Sequence, residues 1–179
     1  IGAFYADWTK VGKGVTNYLS VPDLPLDAKG TKFAVPGGYI KGGDLAGYKP
    51  ITSFNDAYFR DGVHESVKHA WYKGGKGALH PYKGETIPQY TDFQDNGKYS
   101  WVKSPTFYGD TVQVGPLARV LAWAAAKYEP GLRHLNRVIG MAESIAKTKI
   151  PLDALHSTIG RHAARAVVCG SMVENLQQQ

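Results

Sequence analysis

Cysteine is almost missing from this chain. Its 179 residues contain one, Cys169, so there is no Cys-x-x-Cys pair and no internal disulfide. A thiolate metal site built from this chain alone is thereby excluded. Long apolar runs are missing as well. The longest, VLAWAAA (120–126), falls far short of the roughly 18 residues needed to span a bilayer and reads as a short buried helix. There is no Gly-x-Ser-x-Gly elbow. GKG (12–14) and GGKG (74–77) lack the following Ser/Thr and the strand-to-helix setting of a phosphate-binding loop. No two carboxylates stand out as an acid/base couple, since Asp92, Asp95 and Asp110 lie in glycine-rich loop sequence where Asp commonly forms turns. The histidines are dispersed: His64 and His69 are five apart where a helical ligand pair needs four, and His80 is followed by Pro81. The opening IGAFYADW has neither an initiator methionine nor a signal-peptide layout and reads as cut from something longer.

What is present is ordinarily globular: 43% apolar and 20% charged residues, with four tryptophans and eleven tyrosines, enough for one domain with a real core. The net charge of +6 comes from lysines scattered singly among glycine and tyrosine. Without a dense basic run this predicts a solvated basic surface or contact with acidic subunits, and no nucleic-acid partner.

Glycine and proline crowd the first two thirds and predict a loop-rich, partly β lobe over 1–112, followed by a helical bundle segment over 113–179. The fold class expected is α+β. Residues 1–20 hold Phe4, Trp8, Val11 and Val15 at helical spacing, weakened by Gly12 and Gly14. TKFAV, PGGYI and LAGY within 31–48 predict short strands, with a hairpin around Gly42-Gly43. From Ser53 or Asn55 to Tyr72 a helix is expected, with Val63, Val67, Ala70 and Trp71 as its apolar stripe. Three helices should close the chain: from Pro116 to the Pro130-Gly131 break, over 132–148, and from near Asp153 to about Leu176.

Arg119, Arg161 and Arg165 each sit in an expected helix among Ala, Leu and Val. Burial there requires anionic or carbonyl partners, which the sequence does not reveal. His162 reads as a polar helix edge. Cys169, preceded by Val167 and Val168, reads as a buried, inert thiol.

The run KYSWVKSPTFYGDTVQVGPLAR (98–119) resembles a signature segment of the large subunit of nickel–iron hydrogenases. VKHAWY (67–72), LHPYKGETIPQY (79–90) and STIGRHAAR (157–165) fit the same family in the same order, and AFYADW…GKGVTNYLSVPDLP (3–25) extends the likeness over nearly the whole chain. The order from VPGG (35–38) through HAWY and HPYKG resembles the respiratory, membrane-associated uptake branch. The resemblance implies a central segment of a larger, mainly helical subunit that oxidises molecular hydrogen reversibly to protons and electrons. It implies a nickel–iron centre with cyanide and carbon monoxide ligands, held by two cysteine pairs near opposite ends of that subunit, and a magnesium ion beside it. Implied partners are the remainder of the large subunit, a small subunit carrying iron–sulfur clusters, and a membrane cytochrome. The implied location is periplasmic or peripheral at a membrane.

Two departures stand out. The family commonly has Arg where this chain has Thr106, and often Glu where it has Gln113, a position the resemblance places near the outer shell of the magnesium. No residue that touches substrate, cofactor or metal directly is expected in this chain. Gln113, Arg119, Arg161 and Arg165 are the candidate outer-shell or structural residues. A reading from another class is a non-catalytic scaffold or split-subunit piece that contributes packing only.

Overall fold

The structure is a computed structural model in which residues 9–63, 70–73, 87–92, 94, 97–102 and 104–178 are described. It is α+β as expected, and its contacts divide it into two compact units: residues 1–60 with 112–179, and residues 61–111. The strands of the expected N-terminal lobe therefore pack with the helices.

In the first unit, β1 (Tyr18–Ser20), β4 (Gly37–Ile40) and β5 (Lys49–Ile51) form an antiparallel sheet in the order β1-β4-β5. Tyr18 pairs with Ile40 and Gly37 with Ile51. The chain turns between β4 and β5 through Gly42 and Gly43, both at positive φ (62° and 75°), a conformation open to glycine at little cost. A hairpin is present there, but LAGY (45–48) belongs to its turn, and the second strand is Lys49–Ile51. β2 (Asp23–Pro25) and β3 (Phe33–Val35) make a separate antiparallel pair. Asp27 holds its turn by accepting from Thr31 N at 2.9 Å and Thr31 Oγ1 at 2.5 Å.

Three helices complete this unit: α2 (Pro116–Ala125), α3 (Glu129–Ala146) and α4 (Thr158–Gln178), with a 3₁₀ turn over Leu152–His156 leading into α4. Pro116 occupies the first helical position of α2, where its missing N–H is no loss. The break after α2 is not at Pro130-Gly131. The helix ends at Ala125, and Lys127 turns left-handed (φ 54°). Tyr128 N then donates to Trp123 O (2.9 Å) and Lys127 N to Ala124 O (3.2 Å), the two bonds of a Schellman stop. Pro130 instead falls in the first turn of α3. Gly131 is needed because a Cβ there would overlap the Trp123 ring, which lies buried against it.

The core joins sheet to helices through Tyr18, Val35, Ile40, Leu117, Val120, Leu121, Trp123, Leu135, Leu155, Ala164 and Val167. Two of the expected helices change. The stretch 9–17 is not helical, and Val11 and Val15 are exposed, while Phe4 and Trp8 lie outside the described residues. The glycines at 12 and 14, both left-handed, break the periodicity.

The helix expected over 53–72 is only α1 (Ala57–Gly62). It opens on Asp56, whose Oδ1 accepts from Tyr58 N (2.9 Å), and ends where Gly62 O accepts from Tyr108 N (2.9 Å). Val63 is exposed, Ala70 and Trp71 are not helical, and Val67 lies outside the described residues. The second unit holds a tight hairpin, β6 (Thr106–Phe107) and β7 (Asp110–Thr111), turning through Tyr108 and Gly109 at positive φ. Phe107 is buried over Gly62, where no side chain would fit. Within the same unit Trp71 N donates to Ser100 O (2.9 Å), and Trp71 and Tyr99 meet edge to face with ring centroids 4.9 Å apart. GGKG (74–77) lies outside the described residues.

Gly160 is the tightest point of the α4 start, because a Cβ there would overlap the Leu155 backbone. Gly160→Ala should push α4 off the 3₁₀ turn and lower stability by about 1–3 kcal/mol. A melting temperature of the subunit unchanged by this substitution would contradict the packing described.

Candidate functional site

The polar centre of the first unit is gathered by Arg161, in the first turn of α4. Its Nε donates to Gly12 O (3.1 Å), and its Nη2 donates to Gly12 O (2.9 Å), Lys13 O (2.7 Å) and His156 O (3.3 Å). Its Nη1 donates to Gln113 Oε1. Gln113 in turn donates through Nε2 to Lys13 O (3.1 Å) and to Val15 O. Thr158, at the head of α4, donates through N (2.8 Å) and Oγ1 (3.2 Å) to Val11 O. A guanidinium fork thus holds a loop whose Gly12 and Lys13 carbonyls both face it. Gly12 (φ 81°) and Gly14 (φ 64°) make that possible, and a Cβ on Gly12 would overlap Thr158 Oγ1. GKG (12–14) is a carbonyl cradle for an arginine.

Beside it, the hydroxyl of buried Tyr18 pairs with Nδ1 of His156. Burial pushes the His156 pKa below its ordinary value and pushes the Tyr18 phenol up. The imidazole is therefore favoured neutral, with Nδ1 able to accept the phenolic proton. Lys13 Nζ bridges to Asp153 at 2.7 Å, and that hydrogen bond holds the Asp153 carboxyl below the usual range. A second polar strap joins α3 to α4: Arg133 meets Glu129 and Glu174, and His134 Nε2 lies 2.9 Å from Glu174 Oε2.

Of the four candidates, the structure joins Gln113 and Arg161 in one network. Leu19 N donates to Gln113 O (2.9 Å) and Gln113 N donates to Asn17 O (2.7 Å), so residue 113 is pinned to β1. Arg119 is not deeply buried. It pairs with Asp23 of β2 at 2.9 Å, with side-chain exposures of 22% and 44%. The partners of Arg119 and Arg161 thus lie within this chain, and Asp23 and Gly12 among them come from more than ninety residues away, which no local spacing could reveal. Arg165 and Cys169 differ from expectation more sharply, for both are exposed. The buried seam of α4 runs through Gly160, Ala164, Val167 and Ser171, and two residues from Val167 is a rotation of about 200°, onto the opposite side. His162 is exposed, as a polar edge should be. Asp92 sits in a turn at positive φ and Asp110 in β7; His64, His69, His80 and Asp95 lie outside the described residues. The Tyr18–His156 pair was missed. Its only sequence signal was an aromatic residue in a strand and a histidine 138 positions later.

Among the described residues no three His, Cys, Asp or Glu side chains converge as metal ligands. The soft thiolate donors that a nickel–iron centre requires amount in this chain to Cys169, exposed on α4. The residues present do not fit that group. An apolar groove between α3 and the start of α4, lined by Val138, Ile139, Ala142, Ile159 and Ala163, has Thr9 as its polar contact and offers no acid, base or ligand.

The family described as nickel-dependent hydrogenase matches residues 1–179. The chain belongs to that family. It is 48% identical over 179 residues to the hydrogenase-2 large chain of Escherichia coli K12, covering 100% of this chain and 31% of that one. Against the quinone-reactive Ni/Fe-hydrogenase large chain of Wolinella succinogenes the identity is 34%, over 88% of this chain and 28% of the relative. Among solved structures it resembles the reduced Ni-Fe-Se hydrogenase of Desulfovibrio vulgaris Hildenborough, with TM-score 0.67 and 26% identity, covering 99% of this chain and 34% of that chain. The chain therefore spans about a third of the length of these relatives.

Two outcomes follow from the geometry. Arg161→Leu strips several carbonyls and Gln113 of a charged donor and should cost about 2–3 kcal/mol. Arg119→Leu, at a partly exposed pair, should cost about 1 kcal/mol or less, and Lys should rescue position 161 only in part. Equal losses at the two positions, read by denaturant unfolding of the subunit, would contradict this ranking.

The second outcome concerns pH. His156 has a folded pKa below its unfolded value near 6.5, so the unfolded state binds more protons as pH falls through that range. Stability should be fully present above about pH 6.5 and decline on acidification, with Asp153 adding a loss of the same sign below about pH 4. His156→Gln should flatten the upper part of that decline in a melting-temperature series; an unchanged slope would rule His156 out as its source.

Proposed function

We propose that the chain is a segment, residues 1–179, of the catalytic subunit of a nickel–iron hydrogenase. That enzyme oxidises molecular hydrogen reversibly and passes the electrons to a small subunit carrying iron–sulfur clusters. The observation that carries this reading is likeness along the whole segment to proteins named hydrogenase large chains, at 48% identity for the first. The nickel–iron centre, with its cyanide and carbon monoxide ligands, supplies the hydrogen-splitting chemistry when bound, and magnesium accompanies it. Their ligands come from parts of the subunit other than this segment, since its own donors do not fit.

The role of this segment is positional. Arg161 and Gln113 lock the 9–17 loop, β1 and the start of α4 into one body. Residue 113 lies three positions before α2, so the amide also sets where that helix begins. Neutral Gln113 uses its Nε2 on Lys13 O and Val15 O and its Oε1 on Arg161. An outer-shell contact to a magnesium-bound water would use the remaining lone pair of Oε1 and bring no charge. Relatives named as quinone-reactive and as uptake hydrogenases support a periplasmic or peripheral membrane location and a membrane cytochrome as electron acceptor. No helix among the described residues is long and apolar enough to cross a membrane.

The test is to purify the full-length gene product containing this segment together with its small subunit, then measure nickel content and hydrogen-dependent reduction of a viologen dye. Stoichiometric nickel with hydrogen uptake is expected. An assembled complex without nickel and without hydrogen activity would favour the packing-only reading.

A further inference from the structure

The outer faces of α3 and α4 are built differently. Exposed positions on α3 include Arg133, Asn136, Arg137 and Ser144, a face suited to water, although Met141 and Ile145 are exposed there too. On α4 the exposed positions are His162, Arg165, Ala166, Cys169, Val173, Leu176 and Gln177. Leaving out the polar Arg165 and Gln177 at its edges, they recur at intervals of 4, 3, 4 and 3 residues. That is the spacing of a seam meeting a second helix at a shallow crossing angle. The opposite seam of α4, Gly160, Ala164, Val167 and Ser171, has the same 4-3-4 rhythm and is buried within this unit. A helix apolar on two sides is one that is buried between two partners. Yet Val173 is 55% and Leu176 66% exposed.

We propose that this outer seam of α4 is the docking surface for another helix of the same large subunit, apolar along the contact and carrying an Asp or Glu opposite Arg165. The proposal rests on the reading that the chain is one segment of a larger hydrogenase subunit. Three observations select that occupant. The chain corresponds to 34% of the Desulfovibrio subunit it resembles, so about two thirds of such a polypeptide remains to be placed around it. The 4-3 stripe runs straight along α4 from His162 to Leu176, about four turns, a length and shape that the ridges of a near-parallel helix fill. Arg165 stands at the edge of the seam with no ion pair among the described residues, and covering it requires an anionic partner. Ala166 and Cys169 keep the middle of the seam low, so the two helix axes can approach to about 8–9 Å.

The experiment uses the full-length heterodimeric enzyme. Val173→p-benzoylphenylalanine places a photo-crosslinker on the seam, and peptide mass spectrometry identifies what it captures. Expected is a crosslink within the large subunit, to a helix outside residues 1–179. In the unsubstituted enzyme Cys169 should react with N-ethylmaleimide at least ~100-fold more slowly than after unfolding, as a residue opened only by local unfolding does. Arg165→Glu should lower the melting temperature, and an acid-to-lysine change on the captured helix should restore it. A crosslink to the small subunit or to a second copy of the large subunit overturns the proposal, as does Cys169 reacting in the native enzyme at its unfolded rate. Hydrogen uptake and nickel are measured on the same preparation. An active enzyme with an open Cys169 defeats only the docking proposal, whereas a nickel-free, inactive enzyme with a protected Cys169 defeats only the functional reading.

Discussion

One half-buried guanidinium ties together the polar contacts of the larger unit. Arg161 reaches from the first turn of α4 to three backbone carbonyls and one side-chain amide, and those acceptors belong to three stretches far apart in sequence. A lysine could neutralise no more charge but would lack the fork that spans Gly12, Lys13 and Gln113 at once. Around that fork the other contacts fall into register. Gln113 ties to β1, Thr158 ties the helix head to Val11, and His156 delivers a carbonyl to Arg161 and an imidazole to Tyr18. The loop over 11–15 is exposed and has no regular ladder of its own, so these donors are what fix its carbonyls in place.

The same arrangement explains several glycines that look like turn punctuation. Gly12 presents its carbonyl to Arg161 from left-handed backbone, Gly14 keeps the loop left-handed two residues on, and Gly160 brings α4 against the 3₁₀ turn. In STIGRHAAR the glycine and the first arginine act together: close packing at 160 positions the guanidinium at 161. The second arginine, Arg165, is four residues on and faces outward, so the motif carries one residue for the inside of this unit and one for its outside.

The closing helices were legible in the sequence because their signals are local. Pro116 at a first turn, an apolar run of seven, and amphipathic spacing over 132–148 need only neighbours along the chain. The strands within TKFAV and PGGYI were legible for the same reason, whereas the one after Gly42-Gly43 lies past LAGY, at Lys49–Ile51. Where a reading changed, a distant contact had intervened. Lys127 took the left-handed stop that glycine usually fills, which moved the helix break three residues ahead of Pro130-Gly131. The helix from 57 stopped at 62 because Tyr108 captured its carbonyl. Of the candidate site, Gln113 and Arg161 could be named but not joined, since nothing in their spacing of 48 residues shows that they touch.

By itself the sequence determined family membership, the helix-forming stretches and the shortage of thiolates. These follow from residue identity and short-range periodicity, which survive without knowledge of the fold. Tertiary structure decided which arginine meets which carbonyl, which histidine is held neutral, and which face of α4 is left open. Those outcomes depend on how segments more than a hundred residues apart are brought together, and on the roughly 100° step of the helix, which puts Val167 inside and Cys169 outside.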